Sequence, residues 1–249
     1  MKRLFRACMM CFSMFCAIPC PYRGWDEEAR PIMTLFLPLV GAFIGLIWTL
    51  IAYLARLVGV PVMAAAAALC AYPYLITGGM HMDGYLDVTD AVMSWRDVEE
   101  RRRILKDPNV GSFAVIFGGL VLIAGFALFA SAGEDAPVFT LTLIPVISRC
   151  MAGLCVTLLR PLTTSEYSGA YRKGVKKSHV AVFAVIMALS CGAGFVFLGK
   201  YGFAAVAVIA GYLWNLQKAF RSLGGMSGDI SGYALTFGEL CGIAVYALL

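Results

Sequence analysis

The sequence predicts an all-α fold: a polytopic bundle of transmembrane helices with about seven spans. Three observations carry this prediction. Of 249 residues, 61% are hydrophobic and 14% charged, against about 45–50% and about 25% in an average soluble domain. Charges are absent from long stretches, with 25 residues at 31–55, 24 at 57–80 and 26 at 108–133. About 20 apolar residues, rising ~1.5 Å each, cross a bilayer's ~30 Å hydrocarbon core. Finally, the basic residues alternate between successive connections. This composition excludes a soluble globular enzyme, a disordered or collagen-like chain and a small disulfide scaffold. The apolar runs are continuous rather than alternating, which weighs against an outer-membrane barrel.

The chain reads as one integral-membrane domain, 1–249. Residues 1–31 form an N-terminal segment in which a basic start precedes the apolar run Ala7–Cys20. A signal peptide has a similar order. However, no Ala-x-Ala-like cleavage site follows, and Pro19, Pro21, Arg23 and Arg30 precede the next apolar run. An interfacial or half-inserted helix is the expectation. The spans then fall at 32–55, 59–77, 112–132, 138–159, 179–198, 201–218 and 233–249. The fourth contains Arg149 and the seventh Glu239, and each is long enough only with that charge inside.

Lys and Arg number five in 1–31, five in the loop 78–111, five in 160–178 and two in 218–232. The alternate connections hold one (Arg56), none (133–137) and one (Lys200). Basic loops stay cytoplasmic. The expected topology is therefore a cytoplasmic N-terminus, cytoplasmic loops at 78–111, 160–178 and 218–232, and a multi-pass location in a bacterial inner membrane.

Nine cysteines are present. Cys8, Cys11, Cys16 and Cys20 cluster without a zinc-like spacing. Cys70, Cys150, Cys155, Cys191 and Cys241 lie in spans, where Cys acts as a small apolar residue. Neither disulfides nor metal thiolates are expected.

The chemistry is sought among the fifteen acidic residues. Asp83, Asp87 and Asp90 lie within Gly78-Gly79-Met80-His81-Met82-Asp83-Gly84-Tyr85-Leu86-Asp87-Val88-Thr89-Asp90. On a helix, positions i, i+4 and i+7 share one narrow face. Like charges so placed repel, so something positive should sit between them. Hard oxygen donors suit Mg²⁺ or Mn²⁺, and Mg²⁺ held by a few carboxylates usually also holds substrate phosphates. Gly84, Gly78 and Gly79 would admit a phosphate close to the backbone. His81 could act as a base, a phosphate partner or a metal-site neighbour, or be only a polar residue at the membrane edge. The alternative for the whole cluster is a solvated acidic face. The helix Arg96–Lys106 reads as a solvated face touching anionic lipid headgroups. Asp107, at its end, is a fourth candidate oxygen ligand.

A second cluster, Gly224-Gly225-Met226-Ser227-Gly228-Asp229-Ile230-Ser231-Gly232, could form a phosphate-cradling turn around Gly228 and Asp229. It could equally be a linker with Asp229 as a helix cap. Ionisable residues inside a membrane default to functional hypotheses. Arg149 is the natural counter-ion for Glu239 or a phosphate ligand, and a structural buried pair is the alternative.

At these residues the chain resembles the cobalamin synthase family, the adenosylcobinamide-GDP ribazoletransferases. The carrying motifs are Gly-Gly-x-His-x-Asp-Gly-x-x-Asp-x-x-Asp at 78–90, Arg103 to Lys106-Asp107 with Gly111-Ser112-Phe113, Ser148-Arg149, Gly-Gly-x-Ser-Gly-Asp-x-x-Gly at 224–232, and Glu239. Ile18-Pro19-x-Pro21 and Trp25-Asp26-Glu27-Glu28 fit as well. Ser227 stands where the family usually shows Thr, and Thr236 where it usually shows an acid. Between Arg160-Pro161 and Gly169 the match is loose.

The resemblance implies an Mg²⁺-dependent transferase of the cobalamin nucleotide loop. The ribose 3′-hydroxyl of alpha-ribazole, or of its 5′-phosphate, would attack the cobinamide-side phosphorus of adenosylcobinamide-GDP and release GMP. Asp83, Asp87 and Asp90 would hold metal, and His81, an Asp of the triad or Asp107 would serve catalysis. Gly78, Gly79, Gly84, Arg149, Gly228, Asp229 and Glu239 would hold substrate. The implied partners are the corrinoid nucleotide, ribazole and membrane lipid, with no nucleic acid; self-association and a complex with other nucleotide-loop enzymes stay open. Two alternatives compete. A CDP-alcohol phosphotransferase shares Asp-Gly and spaced aspartates, but Leu86-Asp87-Val88 departs from its pattern. A cation transporter would show repeated halves, and no internal repeat is seen.

Overall fold

A computed structural model of the chain describes residues 2–22, 24–162 and 177–249. Most of the expected loop 160–178, with Gly169, Arg172, Lys173 and Lys176, lies outside the described residues. The described residues are almost wholly helical, with one isolated bridge between Pro161 and Met226.

The helices are α1 (Lys2–Phe15), α2 (Arg30–Met33), a 3₁₀ turn at Thr34–Phe36, α3 (Leu37–Val58), α4 (Val62–Ile76), α5 (Met80–Met93) and α6 (Val98–Ile104). They continue with α7 (Ser112–Ser131), α8 (Thr140–Leu158), α9 (Lys177–Leu198), α10 (Phe203–Leu223) and α11 (Gly228–Leu248). Apolar, membrane-length helical runs cover Arg30–Val58, Ser112–Ser131, Thr140–Leu158, Ser178–Leu223 and Gly228–Leu248.

The run Ser178–Leu223 is 46 residues long, more than twice what a bilayer core needs. It folds back at its 3₁₀ turn, Gly199–Gly202. Eight residues of straight helix span about 12 Å, yet the Phe195 and Phe203 rings lie 5.1 Å apart. A Cβ on Gly202 would stand 2.8 Å from the carbonyl carbon of Gly194. The run is thus an α9–α10 hairpin and supplies two spans.

The expected second span is shorter than its neighbours. α4 has 15 residues, and the chain then bends by 88° into α5. Gly78 (φ 63°) and Gly79 (φ 78°) make the bend in the left-handed region that side chains disfavour. This bend turns α5 nearly at right angles to α4 and lays it against α11 and α7.

Burial ranks the helices. α8 and α11 have 72% of their apolar windows buried, against 11% for Ser178–Leu223. α8 and α11 are therefore the centre; α9 leaves most of its apolar surface outward, whereas α10 packs on α11 and buries Ala204, Val208, Tyr212 and Leu216. Close backbone approach joins α3 to α8: a Cβ on Gly41 or Gly45 would collide with the backbone at Pro145 or Thr142. Trp48 donates to the Leu69 carbonyl (2.9 Å) and Tyr72 to that of Ile44 (2.8 Å), tying α3 to α4.

The connections sort to two ends, as the alternation of basic loops anticipates. Arg56 donates to the carbonyls of Ala136 (2.7 Å) and Gly133 (3.2 Å) and to Tyr246 Oη (2.8 Å). Lys200 donates to the carbonyl of Leu249. At the other end, Arg102 Nε donates to the Leu223 carbonyl (2.8 Å). There too the backbone of Leu162 bonds Met226, and that of Met226 bonds Arg160 (2.8 Å each). α1 lies across this second end. It buries Ala7, Met10 and Cys11 and exposes Lys2, Arg3 and Arg6. The Ala17 amide donates to the Ile76 carbonyl (2.8 Å), Phe12 packs edge-on to Phe43 (5.4 Å), and Arg6 pairs with Asp26 (2.9 Å).

Candidate active site

Asp83, Asp87 and Asp90 all lie on α5. The helix exists because Gly79 starts it beyond the bend and its apolar positions bury Tyr85, Val88, Ala91 and Val92. It packs antiparallel to the start of α11. A Cβ on Gly84 would lie 2.9 Å from the Asp229 Cα, and one on Gly232 would lie 3.1 Å from the His81 carbonyl oxygen. Thr236 Oγ1 donates to that same carbonyl (3.2 Å), and Tyr85 stacks on Tyr233 (5.3 Å).

The expected use of Gly84, as a place for phosphate to approach the backbone, is corrected here. Its open side is filled by the backbone of Asp229. The gain is that two acidic segments meet. Burial, then Asp83, Asp229 and Asp90, push the Asp87 carboxyl up to about 6. Among the described residues no Lys or Arg forms an ion pair with Asp83, Asp87, Asp90 or Asp229.

The aspartates diverge in use. Asp83 is exposed and Asp87 half-buried beside Asp229. Asp90 turns toward the start of α7, where its Oδ1 accepts from the Ala114 amide (3.3 Å) and its carboxylate covers Gly111. Asp107 accepts from the backbone and side chain of Asn109 (2.9 and 2.8 Å). Those bonds hold its carboxyl below the usual range. Asp90 and Asp107 share a separate cleft of about 290 Å³ with Asn109 and Gly111.

In the second glycine cluster, Gly224 (φ 84°) ends α10. The N-cap of α11 is Ser227, whose Oγ accepts from the Ile230 amide (3.2 Å). The cap role considered for Asp229 therefore belongs to Ser227. Asp229 sits in the first turn of α11, where the helix dipole favours a negative charge. Gly78 and Gly79 form the α4–α5 bend, and Gly228 is exposed.

A cavity of about 290 Å³ opens beside this turn, bounded by His81, Arg149, Gly228 and Asp229, with α1 contributing Met14 and Phe15. The His81 ring lies parallel to that of Phe15 (6.4 Å, 16°). Burial, and then Arg149, lower the pKa of the imidazole and keep it neutral. Arg149 and Glu239 are buried and form an ion pair between α8 and α11. Ser148 Oγ donates to Glu239 Oε1 (2.7 Å) and accepts from Arg149 Nη1 (3.0 Å).

Among the described residues no group of three or more His, Cys, Asp or Glu side chains is arranged to hold a metal ion. Mg²⁺ does not need such a group, since it is commonly held by one or two carboxylates, waters and substrate phosphates. The oxygen-only cluster Asp83, Asp87 and Asp229, lacking a basic partner, fits that habit.

Sequence reasoning missed Phe15 and Thr34, both lining the cavity. Neither carries a charge, and both sit within apolar runs, so no local signal sets them apart.

A family model described as cobalamin-5-phosphate synthase matches residues 7–247. The chain is 35% identical to an adenosylcobinamide-GDP ribazoletransferase of Clostridium perfringens (strain SM101), over 100% of both chains. It is 33% identical to one of Clostridium botulinum (strain Alaska E43), over 98% of this chain and 97% of that one. A third, from Pseudomonas savastanoi pv. phaseolicola, is 33% identical over 90% of each. No solved structure matches.

Proposed function

Because the chain belongs to the cobalamin-5-phosphate synthase family, we propose that it joins adenosylcobinamide-GDP to alpha-ribazole, or to alpha-ribazole 5′-phosphate, with release of GMP. The relatives are named for that transfer. The observation that carries the assignment to a site is the position of Asp229. It borders the cavity with His81 and Arg149, and its charge acts on the carboxyl of Asp87.

The ribose hydroxyl of the acceptor attacks the phosphorus that carries the cobinamide. A new P–O bond forms, the P–O bond to GMP breaks, and GMP leaves with its own phosphate. The hydroxyl proton passes to a base at the cavity rim, an Asp of the cluster or His81; burial lowers the pKa of the imidazole and makes it the weaker base of the two. Asp83, Asp87 and Asp229 would hold Mg²⁺, which supplies charge neutralisation for the pyrophosphate when bound. Arg149 gives the inner end of the cavity a guanidinium that a phosphate group can share with Glu239.

The bundle end carrying α1, α5 and the start of α11 is assigned to the cytoplasm by its basic connections, with the protein in the bacterial inner membrane. The α6 region meets anionic headgroups there.

The test is GMP release by the purified, detergent-solubilised protein supplied with adenosylcobinamide-GDP, alpha-ribazole and Mg²⁺. Release that requires all three supports the assignment. No release with either acceptor overturns it.

A further inference from the structure

We infer that the cavity beneath α1 is the pocket of the acceptor nucleoside, and that Phe15 and Thr34 select its base. This inference rests on the transfer proposed above. A cavity of 290 Å³ lies at the small end of ligand sites and takes a compound of about twenty non-hydrogen atoms. Alpha-ribazole is of that size. A corrinoid nucleotide is several times larger and would have to lie on the open side, beside the exposed Asp83.

The walls agree with an apolar base. Phe15, Leu37, Val156 and Leu235 line the cavity. A guanine there would lose the partners of its polar edge, at a large cost. A methylated benzimidazole has one ring nitrogen free to accept a hydrogen bond. Thr34 also lines the cavity and is 3% exposed, and its Oγ1 has no hydrogen-bond partner among the described residues. A buried hydroxyl left unsatisfied is unfavourable, and a turn of the Thr34 side chain toward the cavity would let the ring nitrogen satisfy it. The polar members His81, Arg149, Asp229 and Ser231 suit the ribose end, which puts the attacking hydroxyl on the side of Asp229, whose charge acts on Asp87.

Two readouts test this on the full chain in detergent. In steady-state GMP release, Thr34→Val should raise KM for alpha-ribazole about 2–10-fold, the value of one hydrogen bond. Its kcat and its KM for adenosylcobinamide-GDP should hold, and Thr34→Ser should recover. Phe15→Leu should behave as Thr34→Val does. In the second readout, Phe15→Cys is made in a background cleared of native cysteines and labelled with a maleimide. Alpha-ribazole should slow that labelling, and GMP alone should not. A rise in KM for adenosylcobinamide-GDP instead, or labelling indifferent to alpha-ribazole, overturns the inference. Protection by alpha-ribazole without GMP release from the wild type would overturn the proposed reaction and leave the pocket standing.

Discussion

Gly84 faces Asp229 so closely that a methyl group there would stand 2.9 Å from both the Cα and the carbonyl oxygen of Asp229. This approach, between α5 and the first turn of α11, brings Asp229 to Asp83 and Asp87. Gly84→Ala must therefore push the two helices apart. Overpacking of this kind costs typically about 1–3 kcal/mol. The variant should melt at lower temperature in detergent and release GMP more slowly. Unchanged melting with full activity would show that the contact does not set the site.

Asp83→Asn, Asp87→Asn and Asp229→Asn keep the size of each side chain and remove its charge. All three residues lie where solvent reaches the bundle, so the fold should survive. Turnover should fall by about a hundredfold or more, since a metal contributes several kcal/mol of charge stabilisation. Chelation should abolish wild-type release, and added Mg²⁺ should restore it. GMP release against Mg²⁺ concentration checks both points, and an unshifted Mg²⁺ dependence in all three variants would remove the cluster from the reaction.

Asp90 should separate from its neighbours. Its carboxylate accepts from the Ala114 amide in the first turn of α7, as a capping side chain would. Asp90→Ala should cost about 1 kcal/mol of stability, the usual value of a cap, and Asp90→Asn, whose amide oxygen can still accept, less. Asp90→Asn should impair turnover less than Asp83→Asn. Equal losses of turnover at unchanged stability would instead place Asp90 among the metal ligands.

The buried pair of Arg149 and Glu239 should show a double-mutant signature. Removing one partner strands a buried charge, at about 3–5 kcal/mol. Arg149→Met and Glu239→Leu should each destabilise strongly. The double variant should regain much of that stability and still turn over poorly, because the cavity has lost its guanidinium. Thermal unfolding of the three variants decides this, and additive losses would sink it.

Orientation is checked by labelling. With native cysteines cleared, Ser94→Cys at the α5 end should react only when the inner face is exposed. Glu134→Cys, at the Arg56 end, should react from outside intact cells. The reverse pattern would invert the topology.

Much of this was legible in the sequence, and for physical reasons. Hydrocarbon thickness sets the length of apolar runs, so the spans were visible. Basic residues are costly to translocate, so the connections could be sorted between two ends from charge counts alone. A period of 3.6 residues put Asp83, Asp87 and Asp90 on one helix, because that periodicity is local. Arg149 and Glu239 drew attention for the same kind of reason, since a charge within an apolar run is conspicuous wherever it packs.

Tertiary structure decided what those residues meet. The 88° bend at Gly78 and Gly79 swings α5 out of the line of α4 and onto the first turns of α11, and no hydropathy window reports a change of direction. Asp229 lies 142 positions beyond Asp87 and joins it only because Gly84 and Gly232 let two helices touch. Asp90, one turn from Asp87, is drawn to the amide of Ala114 instead. Phe15 and Thr34, unremarkable in their apolar runs, come to line the cavity beside His81 because α1 folds back over the bundle end. Local periodicity is written residue by residue, whereas the partner of each side chain depends on which distant backbone can approach it.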